Sequence, residues 1–452
     1  MKAVPVEKDG NEPQTPQMAV PSRKKSILRA AGSAVVLRGV SFACTLVQIR
    51  LIMPYLGADR FGLWTVLLAV ASFFGISDLG ISSAFQNDVT RADARGEGSR
   101  LRPMFFTAQA ALLILALVAA VVFIGVAAAI GKYTFFRNLA PDQARDAVML
   151  TAVFVITCAV NVPLALSGRL AFGLHLGDMA NLTAMWAQLF TLGAMAGAVW
   201  LHVPFAVFLL ATIVPTVCCN ALLGLRLLRR LEPAPGGNWE GFAYARHTVR
   251  TGIQFFALGA SQPIFFTLGP LLLASAFGPA VVAAYGLAAR ALGLIHNLEA
   301  GILGATWPVL TESLGRGDFP RARRWIRRNV LVASCAFCLP ALLFPFVGPH
   351  LLLFWSGLPS ASFPAWIIWP VTLLFFCILL QGPFYIALSA AGSVSVLAAS
   401  HFVAAAFALG AVAIWHRTPE AIPACIAGAF AVFALPPAMM QTHRVFQPEK
   451  EK

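Results

Sequence analysis

The chain has 452 residues, 59% of them hydrophobic and 12% charged, with a formal net charge of +14. A soluble domain carries about twice that charged fraction, so a water-soluble globular fold is excluded. The positive excess is then not a nucleic-acid footprint but the Lys/Arg bias of cytoplasmic membrane loops.

Residues 1–26, containing "PVEKDGNEPQTPQMAVPSRKK", are polar and Pro-rich and predict a disordered cytoplasmic tail. They are not a cleavable signal, because the following apolar run is too long for a signal core and no small-residue cleavage site stands out. Twelve apolar runs follow, at about 34–54, 61–83, 104–130, 147–167, 180–200, 204–225, 252–276, 280–305, 329–349, 364–386, 394–415 and 420–440. At 1.5 Å per residue each can cross roughly 30 Å of hydrocarbon. They are apolar on every face and longer than barrel strands, so helices are expected. The fold class is an all-α polytopic membrane protein. Eight cysteines fall inside these runs, including Cys335-x-x-Cys338. They read as small buried hydrophobes, so no disulfide, metal site or cofactor is expected.

Charge sets the orientation. With the N-terminus inside, the cytoplasmic segments hold 25 Lys and Arg and the outer loops five: Arg60, Lys132, Arg137, Arg145 and Arg417. Both termini are therefore expected in the cytoplasm. The longest inner loop, "RRLEPAPGGNWEGFAYARHTVR", has Pro233, Pro235, Gly236 and Gly237 and reads as a linker. It gives an N-lobe at 27–226 (spans 1–6), a linker at 227–250, a C-lobe at 251–440 (spans 7–12) and a tail at 441–452. The halves repeat at an offset of 221 residues: "DLGI" from Asp78 aligns with "EAGI" from Glu299, Gly57 with Gly278, Trp64 with Tyr285 and Ala84 with Ala305. "GEG" at Gly96 matches "GRG" at Gly315 with a two-residue slip. An even number of spans per half makes the repeat parallel.

The stretch "YLGADRFGLWTVLLAVASFFGISDLGISSAFQND" from Tyr55 to Asp88 resembles the start of a polysaccharide or O-antigen-type oligosaccharide flippase. That family belongs to the superfamily that also holds multidrug and toxic-compound exporters and lipid II flippases. The matching elements are Leu56-Gly57, Phe61-Gly62 and Asp78-Leu79-Gly80-Ile81, followed by a charged inner loop. The resemblance implies two six-helix lobes around a central cavity and alternating access. It also implies an undecaprenyl-pyrophosphate-linked oligosaccharide as cargo, moved across a bacterial inner membrane for O-antigen, capsule or exopolysaccharide synthesis.

Arg290 lies about ten residues into span 8, roughly 15 Å deep. An arginine there costs about 2.5–3.5 kcal/mol on insertion scales and is expected to face a cavity. At 100° per residue Leu294, Asn297 and Gly301 share its face, His296 points to the side and Glu299 points away. Arg290 and Asn297 are therefore expected in the cavity, and Glu299 against a neighbour in its own lobe. In span 1, Arg38 matches Asp78 in depth, so a bridge between them stands beside substrate contact. The resemblance favours the latter, since lipid II flippases carry cavity arginines on the first and eighth helices. Arg50, near the outer end, reads first as snorkelling and second as a substrate contact. Gln48, Gln188, Asn220, Gln254, Gln262 and Gln381 are expected as interhelical contacts. Guanidinium groups suit a diphosphate head, which they fork with paired charge-assisted bonds. "RARRWIRR" from Arg321 reads as a topology determinant or an interfacial helix attracting anionic membrane lipids. A coupling ion, H+ or Na+, is compatible with this scheme, but no motif specifies it. The alternatives are a multidrug antiporter, which needs acids that span 1 lacks, and a membrane glycosyltransferase or polymerase, which needs catalytic groups in sizeable outer loops.

Overall fold

The computed structural model describes residues 23–76, 78, 80–130, 141–233, 241–261, 263–304, 306–315, 317–357, 365–393 and 395–446. The helices in chain order are α1 (Arg23–Ile76), α2 (Ile81–Ala94), α3 (Gly98–Ile130), α4 (Pro141–Gly173), α5 (Gly177–Trp200), α6 (Phe205–Leu228), α7 (Gly241–Ser261) and α8 (Pro263–Phe277). The second half adds α9 (Pro279–Gly304), α10 (Trp307–Gly315), α11 (Phe319–Val332), α12 (Leu339–Ser356), α13 (Ile368–Ala390), α14 (Ser395–Trp415), α15 (Ala421–Ala429) and α16 (Leu435–Val445).

Ten described helices are long and apolar enough to cross a membrane. One of them, Gly32–Ser72, contains two spans, because α1 kinks at Gly57 (φ 68°, ψ 178°). Only glycine reaches that region cheaply. Span 7 is divided between α7 and the short apolar α8, which brings the crossings to the expected twelve. Large side chains such as Val121 (70% exposed) and Phe346 (66% exposed) point outward from the bundle. An apolar belt of this kind marks a lipid-facing surface, and the chain is a multi-pass membrane protein. Three expected boundaries move. Residues 23–26 of the tail, 241–250 of the linker and 441–445 of the C-tail are helical, whereas residues 1–22, 131–140, 234–240 and 447–452 lie outside the described residues. All eight cysteines are free, but Cys218 and Cys335 are exposed and Cys425 is partly buried, against the expectation that all are buried. A thiol is as acceptable as any small apolar group at an exposed position of an apolar helix.

The two halves repeat in backbone detail. The turn after α2 bonds Gly96 N to the Asp93 carbonyl and Glu97 N to the Ala92 carbonyl. The turn after α10 bonds Gly317 N to the Leu314 carbonyl and Asp318 N to the Ser313 carbonyl. Every position is shifted by 221 residues (96 to 317), so the two-residue slip read from the sequence is not needed. Between spans 4 and 5, Leu174, His175 and Leu176 donate to Leu170, Phe172 and Ala171. Between spans 10 and 11 the same pattern runs from Ala391, Gly392 and Ser393 to Ala387, Ser389 and Leu388, shifted by 217 (174 to 391).

The cores show how the lobes meet. One buried apolar cluster takes side chains from both lobes, including Ile52, Phe61, Trp64, Val282, Tyr285 and Leu352. It fills the half of the molecule near Gly57. In the opposite, arginine-rich half each lobe has its own cluster: Ile81, Phe85, Leu101 and Leu170 in the N-lobe, Leu303, Leu310, Ile326 and Ala387 in the C-lobe. The lobes are joined at the Gly57 face and divided toward the other. Helix α7 spans that division. It packs on α2 and α3 at its start and on α14 beyond, with Tyr244 and Val249 against the N-lobe cluster. There Asp88 lies 3.8 Å from Arg91. Burial lifts its carboxyl above the ordinary carboxylate range, while His247, Arg91 and the Tyr244 hydroxyl pull it partly back.

Candidate functional site

The seam between lobes is formed by the second half of α1 and by α9. Small residues bring the helices together. A Cβ at Gly62 would overlap the Pro279 carbonyl, and one at Gly286 would stand 2.8 Å from Thr65 Cγ2. Thr65 and Gly286 are repeat mates, 221 positions apart (65 to 286). Only positions beside a two-fold axis touch their own equivalents, so the pseudo-axis of the parallel repeat passes between them.

Beside this contact lies a cavity of about 430 Å³ with Thr65, Ser72, Tyr285, Arg290, His296 and Asn297 in its wall, together with Phe266 and Phe375. Among the described residues its lining holds one arginine and no carboxylate. Arg290 is half-buried on α9 and reaches the N-lobe. Its Nη1 donates to Thr65 Oγ1 at 3.3 Å. Its guanidinium lies 4.3 Å from the Trp64 ring centroid and 5.0 Å from that of Phe61. Cation–π contacts of this sort contribute about 2 kcal/mol or more when desolvated.

Not every candidate joins the cavity. Asn297 lines it, about two turns from Arg290. His296, expected at the side, also lines it, while Leu294 does not. Its ring packs 5.7 Å from Phe266, and Nδ1 stands 3.5 Å from Glu299 Oε2. Glu299 is 1% exposed and faces Gly382 on α13 of the same lobe. Arg38 does not pair with Asp78. It crosses between lobes to donate to the Asn297 carbonyl at 3.4 Å and lies over Gly301, at the edge of the cavity. Asp78 instead accepts the Gly80 N–H at 2.7 Å. Arg50 lies outside the lining, with Nη1 donating to the Phe354 carbonyl at 2.9 Å on α12. The motif glycines have structural roles: Gly57 makes the kink, Gly62 the close approach of the lobes, and Gly80 (φ 72°) a turn whose Cβ would overlap the Gly252 carbonyl. Among the interhelical amides, Asn220 donates to Asn161 at 3.0 Å. Gln381 donates from Nε2 to the Ala434 carbonyl, and its Oε1 accepts from His401 Nε2 at 2.9 Å. The Gln254 and Gln262 side chains lie outside the described residues.

Residues 27–314 match the family model described as "Polysaccharide biosynthesis protein". The chain belongs to the polysaccharide biosynthesis protein family. No curated protein matches it. Solved structures share the fold of this family member. An inward-facing multidrug resistance MATE family transporter of the MOP superfamily is 14% identical, with a TM-score of 0.68 over 93% of this chain and 98% of that one. The lipid II flippase MurJ in an inward closed conformation is 9% identical, with a TM-score of 0.65 over 91% and 88%. A MOP superfamily transporter from Pyrococcus furiosus, described by the reverse polarity of its binding pocket, is 16% identical with a TM-score of 0.61 over 95% and 98%.

Sequence reasoning about this polysaccharide biosynthesis protein missed Phe61, Trp64, Thr65 and His296. A usable signal existed for the first three. They lie on one face at i, i+3 and i+4, inside the motif stretch, and Trp64 was already paired with Tyr285 by the repeat. Aromatic residues on an apolar span are ordinarily read as core or lipid contacts, which hid them.

Proposed function

We propose that this protein is a flippase that moves an undecaprenyl-pyrophosphate-linked oligosaccharide from the cytoplasmic to the outer leaflet of a bacterial inner membrane. Its termini lie in the cytoplasm, the lobes rock by alternating access, and the product feeds surface polysaccharide assembly. The observation that carries this reading is Arg290, the one arginine among the described lining residues of a cavity between the lobes, with no carboxylate among them. A guanidinium already stacked on Trp64 keeps N–H groups at its edge for phosphate oxygens. Asn297 and the Arg38 guanidinium at the rim add donors. A volume of about 430 Å³ lies within the roughly 300–1,000 Å³ of small-molecule sites. It suits a diphosphate and its nearest sugar, with the lipid and outer sugars left outside. A cationic drug would meet repulsion in this lining, which disfavours efflux. Among the described residues no catalytic constellation faces the cavity, which disfavours a transferase. An inside-negative potential assists outward passage of an anion by roughly 2.3 kcal/mol per charge per 100 mV. A proton or sodium ion remains the natural coupling partner.

The test is complementation of a deletion strain. Arg290→Ala is expected to lower surface polysaccharide at least about tenfold, the loss of one charge-assisted contact, and to leave complete lipid-linked repeat units on the cytoplasmic side. Arg290→Lys restores transport in part, because it keeps the charge and loses the fork. Normal display in Arg290→Ala at normal membrane abundance sinks the assignment. Drug sensitivity without any glycan defect would favour efflux.

A further inference from the structure

The run of arginines that the cavity does not use lies on α11. Asp318 caps this helix, its carboxylate accepting the Arg321 N–H at 2.9 Å, and Pro320 occupies the first turn. The helix then continues through a π-helical segment, Ala333–Cys338, into α12, so that Phe319–Ser356 is one continuous rod. It is therefore the end of a span and not a separate helix lying flat.

Its two faces differ. At 100° per residue, Arg324, Arg327, Arg328 and Leu331 fall within one arc of about 100°, and all four are exposed. The opposite arc holds Ala322, Ile326 and Asn329, all buried toward the C-lobe core. Leu331 is 63% exposed, and further along the rod Leu339 and Phe346 are also outward-facing. The arginine arc thus runs directly into a stripe of exposed apolar side chains, the pattern of a helix that passes from headgroups into hydrocarbon. The Arg328 guanidinium lies 5.0 Å from the Trp325 ring, and tryptophan is characteristic of that interfacial layer. Among the described residues no carboxylate forms an ion pair with any arginine of α11.

We propose that the face formed by Arg324, Arg327 and Arg328 is a docking surface for anionic phospholipid headgroups of the adjoining leaflet. A signal for membrane orientation alone depends on the number of charges and does not require them to share the lipid-facing arc. Phosphodiester groups supply the charge that these guanidiniums lack in the protein. The surface is independent of what the cavity carries.

The experiment uses the full chain in nanodiscs of phosphatidylglycerol and phosphatidylcholine, with the lipids retained on extraction counted by native mass spectrometry. The wild type is expected to retain phosphatidylglycerol in excess of its bulk fraction. R324Q/R327Q/R328Q is expected to lose that enrichment, by about fivefold per arginine. R324K/R327K/R328K keeps most of it, because the attraction is one of charge. R91Q/R95Q, at exposed arginines on the same membrane face, leaves it unchanged. For the wild type itself, 1 M salt shortens screening to about 3 Å and should abolish the enrichment, a readout that needs no variant to fold. Enrichment that survives the three glutamines, resists salt, or falls equally in R91Q/R95Q overturns the proposal.

Discussion

A guanidinium inside a membrane bundle has to be solvated by the protein whenever substrate is absent. Trp64, Phe61 and Thr65 do this for Arg290. Two ring contacts and a hydrogen bond offset an insertion cost of about 2.5–3.5 kcal/mol without placing an acid beside the cation. An acid would compete with a phosphate for the same edge, and the aromatic faces do not. Asp88 illustrates the opposite economy at the α2–α7 contact. Its carboxyl is raised by burial, so its stabilising form is the protonated one. That contribution is present below the ordinary carboxylate value of about 4 and is lost as pH rises through the raised folded value. Asp88→Asn is therefore expected to raise the thermal midpoint at pH 8 and to bring no such gain at pH 4. A gain of equal size at both pH values would show that charge at Asp88 is not the cause.

At the scale of elements, the turn between α1 and α2 is a tight joint. Gly80 combines a left-handed backbone with contact to the Gly252 carbonyl of α7. Gly96 has the same φ of 72° and open space around it, so it separates the two causes. Gly96→Ala should cost about 1–2 kcal/mol for the backbone conformation alone. Gly80→Ala should cost more than that, because a backbone carbonyl has to move, and should loosen α7 from the N-lobe. Thermal unfolding of both variants in the same detergent gives the difference, and equal losses would remove the packing explanation.

The spans were legible because lipid leaves the backbone no option but helices of a set length. The glycines were legible as a motif but not as a mechanism. For Gly62 and Gly80 the reason lies in the carbonyls of Pro279 and Gly252, 217 and 172 residues away (279 − 62 and 252 − 80), and sequence spacing carries no trace of those. The cavity was half legible for a related reason. Helical periodicity placed Arg290 and Asn297 on one stripe. It set His296 to the side because the cavity is wider than the stripe that shares the Arg290 face, and it left Arg38 between a bridge to Asp78 and substrate contact because matched depth does not say which lobe a long side chain reaches.

The whole molecule is a pair of repeats held shut at one end. Near Gly57 the lobes share a core, and a reciprocal pair of bonds closes its rim. Arg50 of α1 donates to the Phe354 carbonyl of α12, and Trp355 of α12 donates from Nε1 to the Leu46 carbonyl at 2.7 Å. Each helix thus supplies a side-chain donor to the other's backbone. The carbonyl that Arg50 takes lies in the last turn of α12, where carbonyls lack helical partners and the helix dipole is negative. Toward the arginine-rich face the cores are separate, and among the described residues Arg38 makes a bond between the lobes there. Under the alternating access proposed above, rocking to the other state would have to break the rim pair, at about 0.5–1.5 kcal/mol for the neutral bond and 1.5–3 for the charged one. Removing both would shift the balance between states by roughly thirtyfold or more. For Arg50→Ala with Trp355→Phe, hydrogen exchange is expected to quicken in the last turn of α12 and around residues 46–54 of α1. The same variant should protect the α2–α7 contact, since closing one face is the geometric consequence of opening the other. Exchange that quickens at both ends would mean a loosened fold instead of a shifted equilibrium, and unchanged exchange at the rim would show that the shared apolar core alone holds the lobes together.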